Sequence, residues 1–144
     1  MLCGMQLSAV FFTLDSIVVD DSAKPGASAL LDALDARGVV SAVLTNNPSE
    51  PTRTLLETLE LIPHALVGTD SERKPMPAPD LLFRACEVLD VPPWEVLLVD
   101  CSDAGRQTAA SAGCLFAGMN TSGAFTIGGL EDVVGIVDGA GPSR

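Results

Sequence analysis

Apolar residues in this chain fall into short, dense runs set between more polar stretches. AVFF (9–12), VVSAVLT (39–45), HALVG (64–68), VLLVD (96–100) and CLFAGM (114–119) are of strand rather than helix length. Near-continuous apolar runs, instead of an in–out alternation, mark strands buried on both faces, as in a parallel sheet covered by helices. After the first run, Pro25-Gly26 opens ASALLDALDARG, where Leu30, Leu31 and Leu34 share one helical face and Gly38 marks a stop. Towards the end, GGLEDVVGIVDG puts Leu130, Val133, Val134 and Val137 on one face of a short closing helix. Gly118 to Gly129, rich in Gly, Ser and Thr, is predicted to be a loop, and GAGPSR a disordered tail. The pattern predicts one α/β domain over residues 1–138, followed by a tail over 139–144. No internal repeat appears.

Composition narrows the function classes. The 144 residues are 47% hydrophobic, with positive mean hydropathy, enough for a real core. No run approaches the roughly 20 residues of a bilayer span. The start, MLCGMQLSAVFF, carries no basic residue and flows into the first strand, so no signal peptide is expected and a cytoplasmic location is. A net charge of −11, with lysine only at 24 and 74, disfavours nucleic acid, whose phosphates need Lys/Arg contacts. Cys3, Cys86, Cys101 and Cys114 show no C-x-x-C pairing, so reduced thiols are expected. His64 is the only histidine, which excludes a two-histidine metal site.

Candidate chemistry lies where the strands end. Residues i and i+2 of a strand face one way, so Thr13 and Asp15 point towards a common pocket. VVSAVLTNN ends at Thr45 and Asn46; PMPAPDLL begins just after Lys74; VLLVDCSDAGRQTAASAG passes from a strand into a helix. Taken in order, these segments resemble the motifs of the haloacid dehalogenase-like (HAD) superfamily. Those are an apolar strand with D-x-D, a second strand ending in Thr or Ser, a KPAPD-like loop, and an apolar run followed by GDS-x-x-D.

The resemblance implies a three-layer α/β/α Rossmann-like, doubly wound parallel sheet with its pocket at the carboxyl ends of the strands. It implies a nucleophile at 13, an acid/base at Asp15, phosphate binding at Thr45 and Asn46, a lysine at 76 and magnesium-binding carboxylates at 101 and 105. Neither interval where family members insert a cap domain is long enough here, so a capless, open site is expected. An open site hints at another protein, or a second copy, as partner.

Several implied positions carry other residues. Thr13 replaces the nucleophile, Met76 the lysine, and Cys101 and Gly105 the metal carboxylates, while Asp100 stands at the family's glycine. Threonine needs a base to act as a nucleophile, and Asp15 is the candidate in sequence. Magnesium prefers hard oxygen ligands, which a cysteine does not offer. Each such loss typically costs about 10² or more in rate. The expectation is therefore a catalytically inactive pseudophosphatase with no cofactor, acting as a binding, regulatory or scaffolding protein. The alternative is a divergent hydrolase using Asp15, Thr45 and Lys74, with Asp100 or Asp103 recruiting magnesium. A third is a redox-responsive protein working through Cys101, at a strand end where a thiol's pKa can fall.

Plainer roles fit the same residues. Asp15 suits a turn cap, Thr45 and Asn46 a loop start, Thr13 a strand and Met76 a gap. Lys74 with Arg73 suits a solvated pair, Cys101 a small half-buried residue, and His64 a surface or packing position. Trp94, beside Pro92-Pro93, is either an exposed contact or packed on the sheet edge.

Overall fold

The computed structural model describes residues 7–69, 74–119 and 125–140. In chain order the elements are β1 (Ala9–Thr13), α1 (Leu14–Ile17), β2 (Val18–Val19), β3 (Ser22–Ala23), α2 (Ala27–Ala36), β4 (Val40–Leu44), α3 (Ser49–Thr58) and β5 (Ala65–Val67). They continue with α4 (Asp80–Leu89), a single 3₁₀ turn at Pro93–Glu95, β6 (Val96–Asp100), α5 (Asp103–Ala112), β7 (Leu115–Met119), β8 (Phe125–Ile127) and α6 (Glu131–Ala140). Six strands form one parallel sheet in the order β5-β4-β1-β6-β7-β8. The chain builds outward from β1 through β4 to β5, then returns to β1's other side and builds through β6 to β8. That reversal makes the β1/β6 boundary the topological switch point, where open α/β sheets bind ligands.

Side-chain parity sorts the core into two layers. Val10 and Phe12 of β1 join Leu97 and Val99 of β6 beneath α2 and α6, with Leu30, Leu34, Val133 and Val137. Ala9 and Phe11 join Val96 and Leu98 beneath α4 and α5, with Leu81, Ala85 and Ala109. Strands apolar on successive positions are required by this double burial. The apolar runs and the α2 and α6 faces thus stand where the pattern placed them, and the three-layer α/β/α architecture is as the resemblance implied.

Three local features differ from the sequence reading. The expected loop over Gly118–Gly129 contains β8, parallel to β7 with Ala117 opposite Phe125 and Met119 opposite Ile127. An edge strand of three residues is templated by its neighbour and by burial of Ile127, not by its own composition. Second, β2 and β3 form an antiparallel hairpin, Val18 opposite Ala23, before α2 begins. Its turn residues, Asp20 and Asp21, have φ of 51° and 61°, the left-handed pair that two-residue hairpins require and Asp tolerates. Third, α6 runs on to Ala140, and the remaining tail, 141–144, lies outside the described residues. No described helix is long and apolar enough to cross a membrane.

Candidate functional site

β1 and β6 are parallel neighbours with Phe12 opposite Val99. One residue further on each strand come Thr13 and Asp100, on the same face as Phe11 and Leu98. Register alone therefore brings together side chains 87 positions apart: Thr13 Oγ1 donates to Asp100 Oδ1 at 2.5 Å. Asp100 is only 4% exposed. Its Oδ1 also accepts the Cys101 N–H at 2.7 Å, and its Oδ2 accepts the Ser102 hydroxyl at 2.7 Å. Ser102 is in turn the N-cap of α5, accepting the Gly105 N–H at 3.4 Å.

Gly105 faces the Asp100 carboxylate from the first turn of α5. A Cβ at 105 would lie 2.3 Å from Asp100 Oδ2 and 2.5 Å from its Cβ. Only one of these two positions has room for a side chain. The family pattern has glycine at 100 and the acid at 105; this chain has the acid at 100 and glycine at 105. In this chain the carboxylate at this wall of the cavity therefore comes from the strand and not from the helix.

The other site positions close around the same cavity, of about 260 Å³. Asp15 lies exposed at its rim, in the first turn of α1, where a carboxylate complements the helix's positive end. Thr45, 3% exposed, follows β4; its Oγ1 accepts the Asn47 N–H at 3.1 Å, leaving its own hydrogen for another acceptor. Asn46 does not bond its own loop. Its carboxamide clamps the backbone of residue 76, donating to the Met76 carbonyl at 3.1 Å and accepting the Met76 N–H at 2.9 Å. Met76 lines the cavity and packs its thioether on the α4/α5 side of the core.

Other candidates lie elsewhere. Lys74 is exposed, its N–H donating to Asp80 Oδ2 at 3.2 Å, and does not line the cavity; Arg73 is outside the described residues. Asp103 points away on α5, where Arg106 at 2.6 Å and Gln107 at 2.7 Å hold its carboxyl below the usual range. Cys101 falls on the opposite face from Asp100 and packs with the α2/α6 layer, its Sγ 3.8 Å from the Asp15 carbonyl. Burial pushes that thiol's pKa up, with Lys24 opposing, so the fall expected of a reactive cysteine does not occur. Burial likewise lifts Cys86 to about 11 and Cys114 to about 12; Cys3 lies outside the described residues. His64 accepts the Ser41 N–H on Nδ1 at 3.1 Å and meets Asp35 through Nε2 at 3.3 Å, a surface role. Trp94 is 70% exposed rather than packed.

The carboxylate paired with Thr13 is thus that of Asp100 and not of Asp15, a pairing invisible in sequence because only strand register creates it. The magnesium that the family pattern implies does not fit this donor set. Among the described residues no three His, Cys, Asp or Glu side chains gather as ligands. Both Asp100 oxygens already accept hydrogen bonds, residue 105 has no side chain, and the sulfur of Cys101 is soft and turned aside.

Comparison with known proteins agrees with this frame. A family model described as haloacid dehalogenase-like hydrolase matches residues 6–113. The phosphoglycolate phosphatase of Rhodospirillum rubrum is 44% identical over 96 residues, covering 64% of this chain and 39% of that protein. That of Escherichia coli is 31% identical over 97 residues, covering 66% and 38%. The chain spans about two fifths of the length of these curated relatives. Among solved structures, a HAD-superfamily hydrolase from Geobacter sulfurreducens superposes with a TM-score of 0.77 at 17% identity, covering 90% of this chain and 99% of that one. One from Ehrlichia chaffeensis gives 0.77 at 18%, covering 94% and 98%. At such identities the structures share the fold. With most of its length matched by the family model and the motif positions gathered at one switch-point cavity, this chain belongs to the haloacid dehalogenase-like hydrolase family.

Proposed function

We propose that this chain is a divergent, capless hydrolase of small phosphate esters, working in the cytoplasm. The observation that carries the reading is the convergence of Thr13, Asp15, Thr45 and Asp100 on one polar cavity at the switch point. The relatives named phosphoglycolate phosphatase favour the hydrolase alternative over a silent site, and suggest a small, carboxylated phosphate monoester as the first substrate to try. Among the described residues, no Lys, Arg or His lines the cavity. The positive ends of α3 and α5, reached through Asn47 and Ala104 in the cavity wall, are what this fold offers a phosphate instead. Thr45's hydroxyl would donate to a phosphate oxygen, and Asp15 would exchange a proton with the ester oxygen.

The test is turnover of phosphoglycolate and of a small aryl phosphate, with and without magnesium, by the wild type and Asp15→Asn. Turnover that falls by about 10²–10⁴ in the variant is expected of a general acid/base. A wild-type rate no higher than the variant's refutes the hydrolase reading. The second reading, a pseudophosphatase binding another protein or a second copy, is favoured by the donor set's poor fit to magnesium. Under it, the exposed Trp94 beside Pro92 and Pro93 is the first surface to probe.

A further inference from the structure

We propose that Thr13 and Asp100 form a hydroxyl nucleophile and its general base, so that phosphoryl transfer passes through a phosphothreonine at residue 13. This rests on the hydrolase reading above and deepens it. Three observations carry it. The Thr13 hydroxyl lies at the cavity wall and donates to a carboxylate at 2.5 Å, within the reach a nucleophile–base pair requires. The carboxylate is itself oriented by the Cys101 N–H and the Ser102 hydroxyl, each at 2.7 Å, as a base is held by a third group. Finally, Gly105 leaves the space that Asp100 occupies, so the base has a built seat.

Thr13 Oγ1 attacks phosphorus while its proton passes to Asp100; the ester P–O bond breaks, and the leaving oxygen takes a proton from Asp15. Water then attacks the phosphothreonine, giving a proton back to Asp15. The P–Oγ1 bond breaks, and Thr13 recovers its proton from Asp100. No redox partner is needed. Thr45 and the helix ends hold the phosphate throughout.

The experiment incubates the wild type, Thr13→Val, Thr13→Ser and Asp100→Asn with an aryl phosphate, follows product release, and maps phosphorylated peptides by mass spectrometry after quenching and hydroxylamine treatment. A phosphate ester on threonine survives hydroxylamine, whereas an acyl phosphate on Asp15 or Asp100 does not. The expected result is a hydroxylamine-stable adduct at residue 13 in the wild type and Thr13→Ser, absent from Thr13→Val and Asp100→Asn. Turnover should fall by about 10² or more in the latter two. Thr13→Ser keeps the hydroxyl and the fold, so its retention separates chemistry from folding. Turnover that persists in Thr13→Val and still needs Asp15 overturns the pair while leaving the hydrolase reading intact. Neither turnover nor adduct in the wild type overturns both.

Discussion

Alanine at position 105 should destabilise the protein, even though alanine is ordinarily the better helix residue. In the first turns of α5 a Gly→Ala change gains about 1 kcal/mol from helix propensity. Against this, the new methyl would sit 2.3 Å from Asp100 Oδ2, 2.5 Å from its Cβ and 2.8 Å from its Cγ. The Cβ of Asp100 is fixed to β6, so rotating the carboxyl away does not fully relieve the clash. Overpacking of this kind costs about 1–3 kcal/mol. Moving the carboxylate also breaks bonds from Thr13, Cys101 N–H and Ser102, and hydrogen bonds to a charged group are worth about 1.5–3 kcal/mol each.

Allowing partial relaxation, the net loss is about 2–4 kcal/mol. For a chain of this size that lowers Tm by about 7–13 °C. Removing the obstacle reverses the sign: in an Asp100→Gly background, Gly105→Ala should be neutral or stabilising by up to about 1 kcal/mol. Urea unfolding of the wild type, both single variants and the double variant measures the cycle. A coupling energy of about 2 kcal/mol or more is expected, well above the roughly 0.5 kcal/mol within which independent sites add. Equal effects of Gly105→Ala in the two backgrounds would refute the seat assigned to Asp100.

Three further outcomes are expected. Leu34, fully buried between α2 and the sheet, should cost about 2–5 kcal/mol when cut to alanine, read by urea unfolding. Cys86 and Cys114, held at about 11 and 12 against an ordinary 9.0, bind their protons more tightly folded than unfolded. Their contribution to stability is complete below pH 9 and declines as pH rises towards 11–12; unfolding scans between these limits and slow native alkylation at neutral pH check it. Asp103→Asn, which alters only an exposed pair with Arg106 and Gln107, should leave phosphatase turnover within error of the wild type.

Much of the scaffold was readable from the chain because local rules determine it. Runs such as VLLVD are apolar on consecutive positions, and Leu30, Leu31 and Leu34 repeat with a helical period, so strand and helix are signalled within a few residues. The hairpin at Asp20-Asp21 carried a usable signal too, since paired acids between two short runs suit left-handed turn positions. Strand β8 carried none, because its partner supplies the pattern. The site divided in the same way. That Thr13, Asp15 and Thr45 line one cavity follows from their places at strand ends, but the link from Thr13 to Asp100 depends on the β1/β6 register. Parity along β6 likewise sends Asp100 into the cavity and Cys101 away from it, which a linear motif treats as neighbouring equivalents.

The mutual exclusion between residues 100 and 105 also constrains how such a chain could have descended from one with the family pattern. A path that acquired Asp100 first would have met the acid at 105 inside its own volume, with two like charges pressed together in a buried wall. That intermediate is destabilised. The route that avoids this clash runs through glycine at both positions, a form that holds neither carboxylate. On this route the side chain at 105 is given up before the carboxylate at 100 can be seated, so the order of the two exchanges is set by space and not by chemistry.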